Sequence, residues 1–385
     1  MPFYLAIKEM VRNKFRFITI VLIVALVTLL VIFLAAMGDG LAESAKEYIE
    51  TIDAELIVFQ QDVDLALPAS RLGTSTLNNI RRLDGVAAVG SIGFSTASIM
   101  LKRGDELERL DVTLVGVEPG MPGAPSVIKG VGLQDERARE VVIDQHVLDR
   151  AKIPLGTTIS IKVTQGAEEQ FYELNVVGYT AGKKYNFLPS IFVPLRAWDE
   201  VRPKDQRGGG GEIVFTVAAV QLANPAAAAQ MAETIANEVA KVEVTDPVTA
   251  YESIPGYGDM QSIVTTQQNF ALLIVLLIVG GFFQIHALQK IAQVGMLKAI
   301  GASDRLIAVA VLVQVTLTTV LGLLIGGAGV GIVASFMPPG VPFVFDGQKI
   351  MVAVGTLLVI GPLVALVSIR TLLSVEPLKA LGLGA

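Results

Sequence analysis

Cysteine is absent, histidine occurs twice, tryptophan once, and charged residues make up only 17% of the 385. Without cysteine the chain has no thiol nucleophile, no thiolate metal site and no iron–sulfur cluster. Two histidines, His146 and His286, exclude HExxH and multi-histidine zinc sites. Charge falls well below the roughly 25% of an average chain, while apolar residues reach 52% and mean hydropathy +0.60. The apolar excess lies in four runs, 17–37, 270–288, 306–333 and 350–369, of 21, 19, 28 and 20 residues. A bilayer core takes about 20 helical residues to cross. A soluble globular protein is excluded, and so is a disordered one.

The runs also lack aspartate, glutamate, lysine and arginine. Ion- and proton-coupled carriers place ionisable groups at membrane depth, so this absence, with only four spans, argues against a secondary transporter. The polar groups inside the runs include hydroxyls (Thr19, Thr28, Thr316, Thr318, Thr319) and amides (Gln284, Gln314), with His286 at the end of the second run. The first run is longer than the roughly 7–15 apolar residues of a signal peptide and reads as a retained span.

Charge sets the orientation. Residues 39–265 hold 20 Lys+Arg against 32 Asp+Glu, whereas the rest of the chain holds 10 against 4. Lys8, Arg12, Lys14 and Arg16 precede the first span. Lys290, Lys298 and Arg305 lie between the second and third, and Arg370 and Lys379 follow the fourth. The positive-inside bias places both termini and the 289–305 loop in the cytoplasm, with 38–269 and 334–349 outside.

The fold class is therefore an integral membrane helical protein with one span, a large extracytoplasmic α+β domain, then three spans. Its parts are an amphipathic N-terminal helix (1–16), spans at 17–37, 270–288, 306–333 and 350–369, the outward domain (38–269), a cytoplasmic loop (289–305), a short outer loop (334–349) and a tail (370–385). Residues 39–51 carry charge at helical spacing and continue the first span as a stalk. Within the domain, 54–59, 86–101, 110–117, 140–144, 159–164, 171–178 and 212–220 read as strands, and 225–240 as a helix capped by Asn224. The four glycines at 208–211 mark a loop. An acidic outward domain has the wrong sign for nucleic acid.

Chemical motifs are few. Asp144, His146 and Asp149 would be separated rather than gathered by a helix. The stretch from Gly178 to Lys184 is one residue short of a phosphate loop and lacks its hydroxyl, so the chain carries no ATP site of its own. No nucleophile, base and orienting group can be assembled, and the chain reads as a non-enzyme. Gly322/Gly326 and Gly327/Gly331 form two GxxxG spacings in the third span, which suit packing within the bundle or a dimer seam.

Residues 289–303 form an amphipathic segment ending near Gly301, with Ile291, Val294, Leu297 and Ile300 on one stripe and Lys290 and Lys298 elsewhere. Val294-Gly-Met-Leu-Lys-Ala-Ile-Gly-Ala302 resembles the coupling helix of MacB/FtsX-type (type VII) ABC transporter permeases. Leu5 to Lys14 resembles the family's opening helix, Glu140 to Asp144 with Leu155-Gly-Thr157 its outward-domain pattern, and Arg370 to Ala380 its C-terminal end. The compact domain, residues 36–41 and residues 189–198 are nearest to the HrtB/DevC-like group. Where many relatives carry acids in the coupling segment, this chain has Gln289 and Gln293.

The resemblance implies a permease subunit in the prokaryotic inner membrane that works as a homodimer or as a heterodimer with a paralogue. It implies a separate cytoplasmic ATPase holding ATP and Mg, docked on Gln289, Lys290, Gln293, Val294, Gly295, Met296, Leu297, Lys298, Ala299, Ile300 and Gly301. Mechanotransmission through the stalks would expel an amphipathic or hydrophobic compound such as haem, a lipid or a drug-like molecule, with or without a periplasmic adaptor. By position along the chain, Met37, Tyr48, Tyr257 and Met260 either present ligands to such a compound or pack stalk against stalk. The family also contains FtsX-like signal transducers and LolC/LolE-like lipoprotein extractors with this topology.

Overall fold

A computed structural model describes residues 2–103, 106–165, 168–202, 212–338 and 341–373. The glycines at 208–211 and the C-terminal resemblance at 377–380 lie outside them.

The chain opens with helix α1 (Pro2–Arg12) and the long α2 (Lys14–Glu50). Strands β1 (Leu56–Gln60) and β2 (Leu72–Gly73) lead to helix α3 (Thr74–Arg81) and the hairpin β3 (Val86–Arg103) and β4 (Glu106–Val117). Next come β5 (Lys129–Gly130), β6 (Glu140–Asp144), α4 (Gln145–Ala151), β7 (Thr158–Gln165) and β8 (Glu168–Thr180). The domain closes with β9 (Ser190–Pro194), α5 (Leu195–Val201), β10 (Val214–Phe215), β11 (Val217–Leu222), α6 (Ala228–Glu238), β12 (Val242–Thr245) and α7 (Pro247–Glu252). Four helices end the described chain: α8 (Tyr257–Leu288), α9 (Ile291–Ala299), α10 (Asp304–Ser335) and α11 (Gly347–Leu373).

Two compact units result. One comprises residues 1–40, 262–338 and 343–385, the other 41–261 with 339–342. Four helices are long and apolar enough to cross a membrane: α2, α8, α10 and most of α11. In α2 the buried Phe17, Ile20, Val24, Val27 and Val31 face the bundle, while Phe15, Ile18, Leu22, Leu26 and Leu30 form an exposed stripe at helical spacing. An apolar exposed stripe of this kind belongs in lipid or against another helix. At one end of this unit the 343–349 segment returns to α2. The Val344 amide donates to the Ala36 carbonyl at 3.1 Å, Phe343 packs 5.5 Å from Phe33, and Lys349 pairs with Asp39 at 2.5 Å.

The second unit is built on a ten-stranded mixed sheet, ordered β12-β1-β11-β3-β4-β9-β6-β8-β5, with β7 bridging β3 and β8. β4 pairs with β9, and β6 with β8, in parallel; the other pairings are antiparallel. Alternation gives the sheet two apolar faces. One packs Ile80, Val147, Trp198, Val201 and Ile235 from the helices; the other takes Tyr48, Ile49 and Ile52 near the end of α2 with Ala250 and Tyr251 of α7. Trp198 fits because Gly93 and Gly116 lie beneath it, where a Cβ would come within 2.5 Å of its ring or Cβ atoms. Its indole N–H donates to the Ser95 hydroxyl at 2.9 Å.

Two expectations shift in detail. The run 212–220, read as one strand, divides at Thr216 into β10 and β11. The Thr216 amide donates to the Ile92 carbonyl and its hydroxyl accepts from the Phe94 amide at 3.0 Å, which turns the chain from one sheet to another. The helix read from 225 begins as a 3₁₀ turn at Pro225–Ala227, with Asn224 accepting from the Ala226 amide, and ends at Glu238.

Candidate functional site

The stretch after α8 makes one tight turn and a nine-residue helix. Its C-terminal end closes with two bonds, from the Gly301 amide to the Lys298 carbonyl and from the Ala302 amide to the Leu297 carbonyl. This Schellman arrangement needs a left-handed residue, which Gly301 supplies at φ +94°. Ser303 then caps α10, its side chain accepting from the Leu306 amide.

α9 is therefore a short rigid block with two unlike faces. Val294 and Gly295 are buried and Ile291 packs on the membrane unit's core. Ala292, Gln293, Met296, Ala299 and Ile300 are exposed, together with Gln289 just before the helix; Met296 stands 58% open and Ile300 77%. The expected apolar stripe ends early because the helix stops at Ala299. Ile300 has left the helical register at ψ 9° and points away. The open face carries apolar and amide groups and no carboxylate.

The two lysines are not free surface charges. The Lys298 ammonium donates to the Leu373 carbonyl at 2.7 Å and pairs with Asp304 at 2.9 Å. Lys290, named above in the docking set, is 4% exposed. Its ammonium pairs with a Glu9 oxygen at 2.5 Å and donates to the Gln314 carbonyl oxygen at 2.5 Å. The Gln314 amide donates to the other Glu9 oxygen at 2.7 Å, so the three side chains close a ring. Burial pulls the Lys290 ammonium below the usual lysine range, and the Glu9 carboxylate pushes back. Glu9 and Gln314 carried signals that the sequence reading did not use: the single acid in a basic N-terminal segment, and one of two amides inside the spans.

The glycines of the third span divide by face. A Cβ on Gly322 would sit 2.4 Å from Val24 and one on Gly326 2.5 Å from the Ala25 carbonyl oxygen, so this pair seats α10 on α2. Gly327 and Gly331 meet nothing within 4 Å.

The proposed ligand residues separate too. Tyr48 is 1% exposed, its hydroxyl donates to the Gly123 carbonyl at 2.8 Å, and its ring meets Phe94 and Phe192 edge-on. It is committed to the domain core. Tyr257 is half-buried and packs edge-on to Tyr251 at 5.7 Å, Met260 is half-buried, and Met37 is 36% exposed. A cavity of about 400 Å³ opens within the membrane unit, lined by Val31, Ala35, Gln268, Leu272, Lys349 and Ala353 among others.

The two weak motifs resolve into structure. Asp144 caps α4 and accepts from the His146 amide and ring nitrogen, both at 2.8 Å. No group of three metal-ligating side chains occurs among the described residues. In the 178–184 stretch the Lys183 amide donates to Asp144 and the Lys184 amide to Glu47. Amides already given to carboxylates cannot cradle a phosphate.

Comparison with known proteins covers both units. The MacB-like periplasmic core domain family matches residues 17–288, and the FtsX-like permease C-terminal family residues 269–377. A Staphylococcus haemolyticus protein named as a hemin transport system permease, HrtB, is 23% identical over 388 residues, covering 98% of this chain and 99% of its own. A Staphylococcus epidermidis protein of the same name is 21% identical, covering 99% of each. Among solved structures, the extracellular domain of the transporter YknZ covers 50% of this chain at 15% identity and TM-score 0.35. The periplasmic region of MacB from Actinobacillus actinomycetemcomitans covers 53% at 14% identity and TM-score 0.37. The chain is a multi-pass membrane protein that belongs to the MacB/FtsX-type family of ABC transporter permease subunits, on the side of HrtB.

Proposed function

We propose that this permease subunit expels an amphipathic compound, hemin foremost, driven by a separate ATPase that docks on the open face of α9. The observation that carries the reading is that face: Gln293 and Met296 stand exposed on a short helix, flanked by the exposed Gln289 and Ile300 at its two ends, while its other side is packed into the bundle. A rigid block with one free face is suited to receive a push. Its basic flanks put it and both termini in the cytoplasm, where ATP and Mg would be held by the partner.

ATP-driven closure of two ATPases would press the α9 blocks of two permease copies and tilt the spans. α2 and α8 run without interruption beyond bilayer length, 37 and 32 residues, and act as the stalks that carry the tilt outward. Substrate would be taken from the outer leaflet or outside and expelled without crossing a charged pore, in keeping with apolar runs that hold no aspartate, glutamate, lysine or arginine. The full-length similarity to proteins named for hemin transport supports hemin as the first substrate to test. Met37, Tyr257 and Met260 keep open surface and are the side chains we assign to axial or ring contacts.

The test is purification of the tagged chain from its host in mild detergent, with mass spectrometry of what accompanies it. The expected result is one ABC ATPase per permease, with hydrolysis stimulated by hemin. Absence of any ATPase from every preparation overturns the docking assignment. An ATPase that hemin leaves unstimulated overturns the substrate.

A further inference from the structure

We infer that Glu9, Lys290 and Gln314 form the joint that passes movement of α9 into the N-terminal helix and the third span, and that they are positioning residues for coupling. This rests on the assignment of α9 as the ATPase-docking helix. The ring draws one side chain from α1, one from the turn that opens α9, and one from α10. The apolar contacts of Ile291 and Val294 can slide, because dispersion has little directional preference. The ion pair cannot. Separating Lys290 from Glu9 would leave a buried ammonium without its counter-charge, and breaking one side of a buried pair is far costlier than the pair is worth.

The surroundings add to the stiffness. Phe17 of α2 lies under the Lys290 ammonium at 5.7 Å. The neighbouring Arg16 guanidinium donates to the carbonyl of His286 in the last turn of α8, and the His286 ring meets Phe17 edge-on at 5.5 Å. Three helices, α1, α2 and α10, thus meet the Lys290 side chain, and α8 joins them through the His286 contacts to Phe17 and Arg16. A displacement of α9 has no route that leaves α1 and α10 in place while keeping this charge paired. The N-terminal helix becomes a working part of the transmission.

Gln314 has a specific part. Its oxygen faces the cation and its amide nitrogen the anion, so it bridges the two charges. Rotation of the amide by half a turn would serve the reversed order equally well. A charge swap should therefore be tolerated, whereas a single neutralisation should not.

The experiment uses the full chain with its co-purified ATPase in nanodiscs, with hemin as the transported probe, and compares Glu9→Gln with the swap Glu9→Lys/Lys290→Glu. Glu9→Gln is expected to keep ATPase binding while export per ATP hydrolysed falls at least fivefold, and the swap to recover at least half. The ratio does not depend on how much protein folds. A second measurement needs no ATPase: trypsin cleavage after the exposed Lys8 and Arg12 should run about tenfold faster in Glu9→Gln and return towards the parent in the swap. With ATPase bound, an unchanged ratio in Glu9→Gln, or a swap no better than the single variant, overturns the joint. If the parent carries no ATPase, the docking assignment has failed. Cleavage then decides the joint by itself: faster cleavage reversed by the swap upholds it, and unchanged cleavage overturns it.

Discussion

The hydroxyl of Tyr48 donates to the Gly123 carbonyl in a place too closed for water to stand in. Removing it in Tyr48→Phe leaves the ring contacts intact and strands a buried acceptor, a loss of about 1–3 kcal/mol. Thermal unfolding of the full chain should show that loss, while a hemin titration should match the parent. Weakened hemin binding at unchanged stability would return Tyr48 to the ligand set. Position along the chain made Tyr48 a ligand candidate, but only the sheet's closure around its ring shows that the side chain belongs to the core. Lys183 illustrates the same limit. It lies in a stretch one residue short of a phosphate loop, and its ammonium is spent on the carbonyl and hydroxyl of Thr51. Burial holds that ammonium below the ordinary lysine value of 10.5, with Glu47 and Asp144 opposing. Between the lowered value and 10.5 the unfolded chain binds more protons than the folded one, so stability rises with pH across that window. Lys183→Met should make the rise shallower in urea denaturation followed from neutral pH upward, with Lys184 and Lys290, which burial also lowers, still contributing. An identical slope in the variant would mean that Lys183 titrates as an ordinary surface lysine.

At the scale of helices and strands, hydropathy and alternation carry far because they repeat. The four spans, the β3–β4 hairpin and the Asn224 cap were legible from runs of residues, each of which votes the same way. The division at Thr216 was not legible, because it depends on hydrogen bonds to β3, more than a hundred residues away. The glycines of α10 show what spacing can and cannot say. Two GxxxG spacings announce close approach, but which helix approaches depends on a rotation that only the packed bundle defines. Gly326→Val would drive a side chain into the Ala25 carbonyl and Thr28, and overpacking of this kind costs about 1–3 kcal/mol or more. Gly331→Val meets open space and should leave the fold of the single chain unchanged. Thermal melting and size-exclusion profiles of the two variants in detergent give the comparison. A Gly326→Val chain as stable as the parent would contradict the α2–α10 contact, and a Gly331→Val chain that stays folded while losing its dimer would place the outer pair at the seam between copies.

Across the whole molecule the charges are sorted, acids in the domain and bases beside the spans, and that sorting was legible because it needs only counting. Counting fails where a charge is used inside. The positive-inside argument treats Lys290 as one more basic residue beside a helix end, whereas the bundle spends it on Glu9 and Gln314. With Lys290 turned in and Lys298 tied to Asp304 and the Leu373 carbonyl, the open face of α9 has only apolar and amide groups to offer a partner. On the docking proposed above, shape and apolar burial would provide the grip on the ATPase. Full burial of Met296 or Ile300 would contribute about 1.5–3 kcal/mol each. Ile300→Asp should therefore weaken co-purification of the ATPase at least tenfold, because it replaces that burial with a carboxylate that must be desolvated, while Gln293→Ala should change it little. Raising ionic strength from about 0.1 M to about 1 M, which shortens the screening length from about 10 Å to about 3 Å, should loosen the complex far less than Ile300→Asp does. A complex that falls apart in high salt but survives Ile300→Asp would mean that the grip is electrostatic. It would then have to come from the basic residues of α1, Lys8 and Arg12, rather than from α9.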